Sequence, residues 1–289
     1  MRFVVAFFAG SLSDILARSI APSLSKRLGQ EVVVDDQPGA GGNLATNIVV
    51  RASPDGYTLL EATSANVWNA ALYDTLNFDF IRDIAPVAGI SRTPAVLTVT
   101  PSFPAKTVPE FISYARANPG KINMASGGIG SLPHVAGELF KFMTGINLVH
   151  VPYRSSYLPD LLGGQVQVAF GPIPTLIEQI RAGNLRALAV TGAHPSEALS
   201  DLPTLGQFVP GYEASAINGV GAPKKTPTEI IYKLNTAVNV ALEDSEVQKR
   251  FAQLGTVPVS MTPGEFGKLI VDETEKWAKV FKAAGIKAE

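Results

Sequence analysis

Small hydroxyl residues, glycines and amides cluster where β-rich runs give way to helical patterns. Six loops carry this character: Phe8-Ala9-Gly10-Ser11-Leu12-Ser13-Asp14, residues 37–43, Ala62-Thr63-Ser64-Ala65-Asn66, residues 126–131 with Ser126, Gly127 and Ser131, residues 153–157 with Arg154, and Gly171-Pro172-Ile173-Pro174. Acids and bases are nearly absent from them. Such loops offer backbone N–H groups and helix N-termini, which favour an anion. A carboxylate or phosphate is held there with little formal positive charge, which suits binding more than catalysis. Arg154 is the one charged candidate in the second half and has the fork to clamp a carboxylate, although a solvated surface arginine is the default. Asp14 reads as a ligand contact or, preferably, as part of an N-cap with Ser13. His134 reads equally as an anion donor or as an ordinary satisfied histidine. Phe7 and Phe8 are adjacent, so with Phe7 in the core Phe8 turns toward a ligand. Trp68 and Trp277 read as core.

The patterns of known catalysis fit poorly. Residues 127–132 place glycines between a strand and a helix, but Pro133 stands where a dinucleotide fingerprint needs its third glycine, and no acid follows about 20 residues on. There is no phosphate-binding Gly-x-x-x-x-Gly-Lys-Ser/Thr and no Gly-x-Ser-x-Gly elbow. A serine triad would need His134, His150 or His194 oriented by an acid, and the sequence offers no pairing. Asp35 and Asp36 point to opposite faces of a strand and make no dyad. With no cysteine, thiolate catalysis, disulfides and Cys-ligated metals are excluded. The three histidines lie too far apart for a His-rich metal site. Neither a cofactor nor a metal is expected.

These loops need a scaffold. Strands are expected at residues 3–7, 32–35, 58–61, 96–100, 122–125, 148–151, 166–170 and 185–191. Helices are expected at 13–28, 44–52, 108–118, 133–144, 175–182, 227–242, 245–254 and 263–284. The alternation defines an α/β fold with mainly parallel sheets, in which ligands bind beyond the carboxyl ends of the strands. The chain of 289 residues suffices for about two domains. Hydrophobic residues make up 46% and charged residues 17%, which excludes disorder. Net charge is −1, with no sign of nucleic-acid or membrane-surface binding. Mean hydropathy is +0.18, but the longest apolar run, residues 3–9, is far short of the about 20 a membrane span needs. No secretory leader pattern opens the chain; because it starts inside its first strand, it reads as trimmed. The glycine- and proline-marked segments at 96–101 and 218–223 read as crossings between two lobes, 1–99 plus 221–289 and 100–220. Two ordinary loops in one larger sheet are the alternative.

Beyond single motifs, the chain resembles a family along its whole length. The stretches that carry the likeness are Leu28-Gly29-Gln30-x-Val32-Val33-Val34, Gln37-Pro38-Gly39-Ala40-Gly41-Gly42-Asn43, Ser53-Pro54-Asp55-Gly56-Tyr57-Thr58-Leu59-Leu60, Ala117-Asn118-Pro119-Gly120-Lys121-Ile122-Asn123, His134-x-Ala136-Gly137-Glu138-Leu139-Phe140, His150-Val151-Pro152-Tyr153-Arg154, Asp160-Leu161-Leu162-Gly163-Gly164-Gln165-Val166, Leu185-Arg186-Ala187-Leu188-Ala189-Val190-Thr191, Leu202-Pro203-Thr204 and Trp277-Ala278-Lys279-Val280. They resemble the Bordetella uptake gene (Bug) receptors, the substrate-binding components of tripartite tricarboxylate transporters.

The resemblance implies a two-lobed periplasmic binding protein of the type II, flytrap-like class, with two hinge crossings and a ligand cleft between the lobes. It implies capture of a small organic carboxylate by a monomer, delivery to membrane permease subunits, and a signal peptide already removed. A receptor reporting to a signalling kinase is an alternative partner arrangement, and a carboxylate-processing hydrolase or lyase a rival class. Thr63-Ser64 matches the family's ligand-side loop in the first lobe; Ser126, Gly127 and Ser131 match that of the second. Phe8, Ala9, Gly10, Ser11, Ser13, Asn66, Arg154 and Gly171 complete the candidate ligand-binding set. There are two departures from the family pattern: Phe8-Ala9 replaces two prolines, and Gly171-Pro172 stands where many members carry an acid. With Tyr157 and Leu158 in a shortened loop, these changes favour a ligand with an apolar middle, a longer dicarboxylate or an aromatic acid. Ser126→Ala is expected to weaken binding without altering stability.

Overall fold

A computed structural model describes residues 1–73 and 75–287. In chain order the elements are β1 (Arg2–Val5), α1 (Leu12–Leu28), β2 (Val33–Asp36), α2 (Asn43–Val50), β3 (Thr58–Thr63), α3 (Ser64–Leu72), α4 (Phe80–Asp83) and β4 (Ile84–Val99). Then come α5 (Val108–Ala117), β5 (Asn123–Ser126), α6 (Leu132–Thr144), β6 (Val149–Pro152), α7 (Leu158–Gly163), β7 (Val168–Pro172), α8 (Ile173–Arg181) and β8 (Arg186–Val190). The chain ends with β9 (Ser215–Pro223), α9 (Thr228–Leu242), α10 (Ser245–Gln253), β10 (Val257–Pro258) and α11 (Pro263–Ala284).

Two compact units result: Met1–Arg92, Ile217–Gln253 and Val257–Glu289 form unit 1, and Thr93–Ala216 with Leu254–Thr256 forms unit 2. The division falls within β4 and β9, a few residues before the positions read from the sequence. The short return of Leu254–Thr256 to unit 2 has no sequence signal.

Unit 1 is built on a parallel β2-β1-β3 set. Against it β9 runs antiparallel to β3, with Thr63 opposite Asn218, and β10 runs antiparallel to β4. The β-branched and aromatic run Phe3-Val4-Val5 fills the centre with no exposed surface, as β propensity dictates. Helix α1 presents Leu16, Ile20 and Leu24 to the interior at helical spacing and stops at Gly29, a left-handed cap at φ 64°. Trp68 and Trp277 are buried with ring centroids 5.2 Å apart, as their core reading requires. Burying one such side chain contributes roughly 1.5–3 kcal/mol.

Unit 2 repeats the plan. The parallel β6-β5-β7 set is extended by the distal half of β4, antiparallel to β7 and β8. Both sheets therefore have a parallel centre with antiparallel additions. The core packs Phe140 against Phe111, Phe170 and Tyr212, with centroids 6.1, 5.3 and 5.8 Å apart. A second cluster joins Tyr157, Leu161, Ile173, Leu176 and Ile177.

Candidate functional site

In unit 1 the chain leaves β1 and turns at Gly10, whose φ of 83° suits glycine. The N-cap of α1 is Ser11, whose Oγ accepts from the Asp14 amide at 3.3 Å. This corrects the Ser13-Asp14 cap expected from sequence. Asp14 closes the turn instead, its Oδ2 accepting from the Gly10 amide at 2.7 Å while Arg18 pairs with its other oxygen. Phe8 is half-buried, Ala9 and Gly10 are exposed, and Ser13 is buried. The Ser13 hydroxyl turns toward the carboxyl of Glu61 in β3.

The segment 62–66, read as a loop, is the end of β3 and the first turn of α3. Thr63 is the N-cap, and Asn66 reaches back to accept from the Thr63 amide at 2.7 Å, closing a capping box. The Asn66 amide group donates to Thr46 Oγ1 at 2.7 Å. Ser64 Oγ accepts from the Ile217 amide at 2.7 Å. All three are buried. The polar groups that suggested a ligand loop thus also hold α3 to α2 and β9.

In unit 2, β5 delivers Ser126 to a loop that turns at Gly128 with φ 104° and enters α6 at its N-cap Ser131. Gly127 is half-buried and Ser131 buried. Ser131 Oγ donates to the Gly128 carbonyl at 2.6 Å. Ser126 Oγ accepts from the Gly128 amide at 3.1 Å and lies 2.6 Å from His150 Nε2. His150 in turn stacks on His134 with centroids 4.4 Å apart, and His134 Nδ1 accepts from the Gly130 amide at 3.3 Å. This serine–histidine pairing had no sequence signal. It follows from the parallel register, in which Met124 faces His150 and Ser126 lies two residues farther along the same face.

Both histidines are held neutral. Burial, helped by His150 and Lys141, pushes His134 down to about 3; burial, helped by Lys141, pushes His150 down to about 4. The bond between the Ser126 hydroxyl and the neutral His150 imidazole, whose tautomer sets its direction, clasps the loop. Because Ser126 is completely buried and bonded on both sides, Ser126→Ala is expected to lower stability as well as affinity, which corrects the sequence expectation. It leaves His150 Nε2 and the Gly128 amide without their partner, a cost of about 1–3 kcal/mol. Chemical denaturation of the ligand-free variant tests this; an unchanged midpoint would refute the clasp.

The other two candidates in unit 2 follow this clasp in sequence: Arg154 comes directly after Tyr153, whose amide donates to the Ser126 carbonyl at 3.0 Å. Arg154 is exposed, after β6. Gly171, read as a loop residue, lies inside β7 opposite Val96. A Cβ there would meet Tyr157 Oη at 2.5 Å and Leu176 Cδ1 at 2.4 Å, so the glycine makes room for core packing. Tyr157 is itself core, 6% exposed, and supplies no apolar wall for a ligand. That removes one support for a ligand with an apolar middle.

An α/β chain of two units, each presenting hydroxyl- and glycine-rich turns at helix starts, has the fold of the periplasmic binding proteins. Residues 16–286 match the model of the tripartite tricarboxylate transporter family receptor, TctC, and the chain belongs to that family. It is 35% identical to Protein BugT of Bordetella pertussis over 99% of this chain and 90% of that protein. The structure of R. palustris Rpa4515 with adipate is 38% identical with a TM-score of 0.96, covering 99% of this chain and 97% of that one. MatC (Rpa3494) from Rhodopseudomonas palustris with bound malate is 30% identical with a TM-score of 0.93, covering 97% and 98%.

Proposed function

We propose that the protein is an extracytoplasmic receptor that binds a small dicarboxylate without transforming it and passes it to a membrane permease. The observation that carries this reading is the full-length likeness to two structures bound to dicarboxylates, adipate and malate, in a family of transporter receptors. The loop chemistry agrees: hydroxyls and backbone N–H groups at the starts of α1, α3 and α6 favour an anion. Phe8, Ala9, Gly10, Ser11, Thr63 and Ser64 are the contacts assigned to unit 1. Gly127 and Ser131 are those assigned to unit 2, with Arg154 at their edge and the buried Ser126 holding the turn that presents them. An aliphatic dicarboxylate now stands ahead of an aromatic acid, since Tyr157 belongs to the core. Periplasmic residence and a monomeric state are part of the same reading.

A thermal-shift screen against aliphatic di- and tricarboxylates, aromatic acids, acidic amino acids and neutral controls tests it. A ligand at 100 times its Kd adds about 2.7 kcal/mol, a rise of several degrees in Tm. A shift confined to dicarboxylates, with the ligand recovered unchanged, is the expected outcome. Turnover of the ligand, or no shift with any acid, would overturn the reading.

A further inference from the structure

Glu61 is the one residue with an ionisable side chain in the run Thr58–Thr63 and has no exposed surface. Its Oε1 accepts from Asn218 Nδ2 at 2.7 Å, across the antiparallel β3–β9 pair. Its Oε2 and Asn218 Oδ1, both buried, have no hydrogen-bond partner. They are the remaining oxygens of one carboxyl–amide pair. If both stay acceptors, two desolvated groups go unpaired, and an ionised carboxylate adds a buried charge. A single proton resolves all of it.

We propose that Glu61 is carried as the neutral acid, with Oε2–H donating to Asn218 Oδ1, so that acid and amide form a cyclic pair that makes the β3–β9 junction sensitive to protons. The junction matters because Ile217, the neighbour of Asn218, is where the chain re-enters unit 1, and Ser64 holds its amide. The titration is set locally. Burial pushes the carboxyl up to about 7 against the opposing pull of the nearby Ser13 hydroxyl and of the Asn218 amide. The charged groups on the elements nearest to it are already engaged: Arg2 of β1 with Asp35, and Asp14 and Arg18 of α1 with each other and with Asp36. The run Ser215–Pro223 of β9 brings no titratable side chain.

The sign follows from linkage. The folded-state value lies above the ordinary 4.5, so the contribution to stability is complete below pH 4.5 and is lost as pH rises through 7. The span corresponds to a fall in the folding equilibrium on the order of 10²-fold. Infrared spectra of the full chain between pH 5 and 9, with urea unfolding of wild type and Glu61→Gln, test the proposal. A protonated-carboxylic-acid band is expected in the wild-type minus Glu61→Gln difference spectrum, vanishing with a midpoint near 7. The variant, an isostere of the neutral acid, should lack the corresponding loss of stability at high pH. Asn218→Ala should shift the band to higher frequency, and this arm remains decisive if Glu61→Gln does not fold. No such difference band at pH 5, or a band unmoved by Asn218→Ala, would overturn the proposal.

Discussion

Acidification from pH 6.5 to about 4.5 is expected to cost the protein about 4 kcal/mol through His134 and His150 alone. Both have folded-state values below the ordinary 6.5, at about 3 and about 4. Their contribution is therefore complete above pH 6.5 and is lost as pH falls, because the unfolded chain takes up protons that the folded chain refuses. By pH 4.5 the buried His134 accounts for about 2.7 kcal/mol. His150, which is partly exposed, is assigned about half of a similar figure to allow for solvent screening. Over the same range Glu61 works in the opposite direction and returns about 2 kcal/mol. The net loss in wild type is thus about 2 kcal/mol, and Glu61→Gln should reveal the full slope. His134→Asn isolates the main cause: its Oδ1 replaces Nδ1 as acceptor for the Gly130 amide but cannot titrate. Urea unfolding at the two pH values should show a fall in stability about 2–3 kcal/mol smaller in that variant. An identical pH dependence would show that the histidine pair does not set the acid limit.

The serine–histidine clasp bears on function as well as stability. Nucleophilic catalysis requires an accessible serine, a histidine free to take its proton, and a group that orients the histidine. Ser126 has no exposed surface and also accepts from the Gly128 amide, while His150 packs on the second neutral imidazole of His134. The arrangement fixes the shape of the turn entering α6. A turn of fixed shape is what an anion site built from backbone N–H groups needs, since their directions replace formal charge in selecting the ligand.

The long periodic elements were legible in the sequence; other features were not, and three of them have a clear physical reason. Helix α3 begins in Thr63-Ser64-Ala65-Asn66, small polar residues that read as a turn because their capping box closes with Asn66 instead of the usual Glu or Gln. The first half of β4 carries Pro86 and Gly89, ordinary strand breakers, yet it lies in the sheet beside β9. The clasp pairs residues 24 positions apart in sequence and exists only through the β5–β6 register. Glu61 did leave a trace, an acid in the otherwise uncharged run Thr-Leu-Leu-Glu-Ala-Thr. Read against the rule that buried acids need partners, it would have pointed inward.

The glycines of β9, the strand within which the chain re-enters unit 1, are expected to show the largest response to substitution. A Cβ on Gly219 would lie 2.1 Å from Phe266 Cζ and 2.6 Å from the Ala88 carbonyl oxygen. The first neighbour is a ring that is itself 2% exposed in the core, and the second is backbone of the adjoining strand. Neither is the free end of a flexible side chain, so β9 must separate from β4 or Phe266 must leave its rotamer. Overpacking of this kind costs about 1–3 kcal/mol when side chains alone adjust and more when backbone must move; Gly219→Ala is therefore expected to cost at least about 3 kcal/mol. The control is Gly264→Ala in the first turn of α11, where nothing lies within 4 Å of the added Cβ and the change should stay within about 0.5 kcal/mol. Strand propensity alone would predict the reverse for Gly219, since alanine is the better strand former. The two accounts thus differ in sign. Chemical denaturation of the pair decides between them: a Gly219→Ala protein as stable as wild type would mean that the close approach of β9 to Phe266 and Ala88 is not maintained in solution.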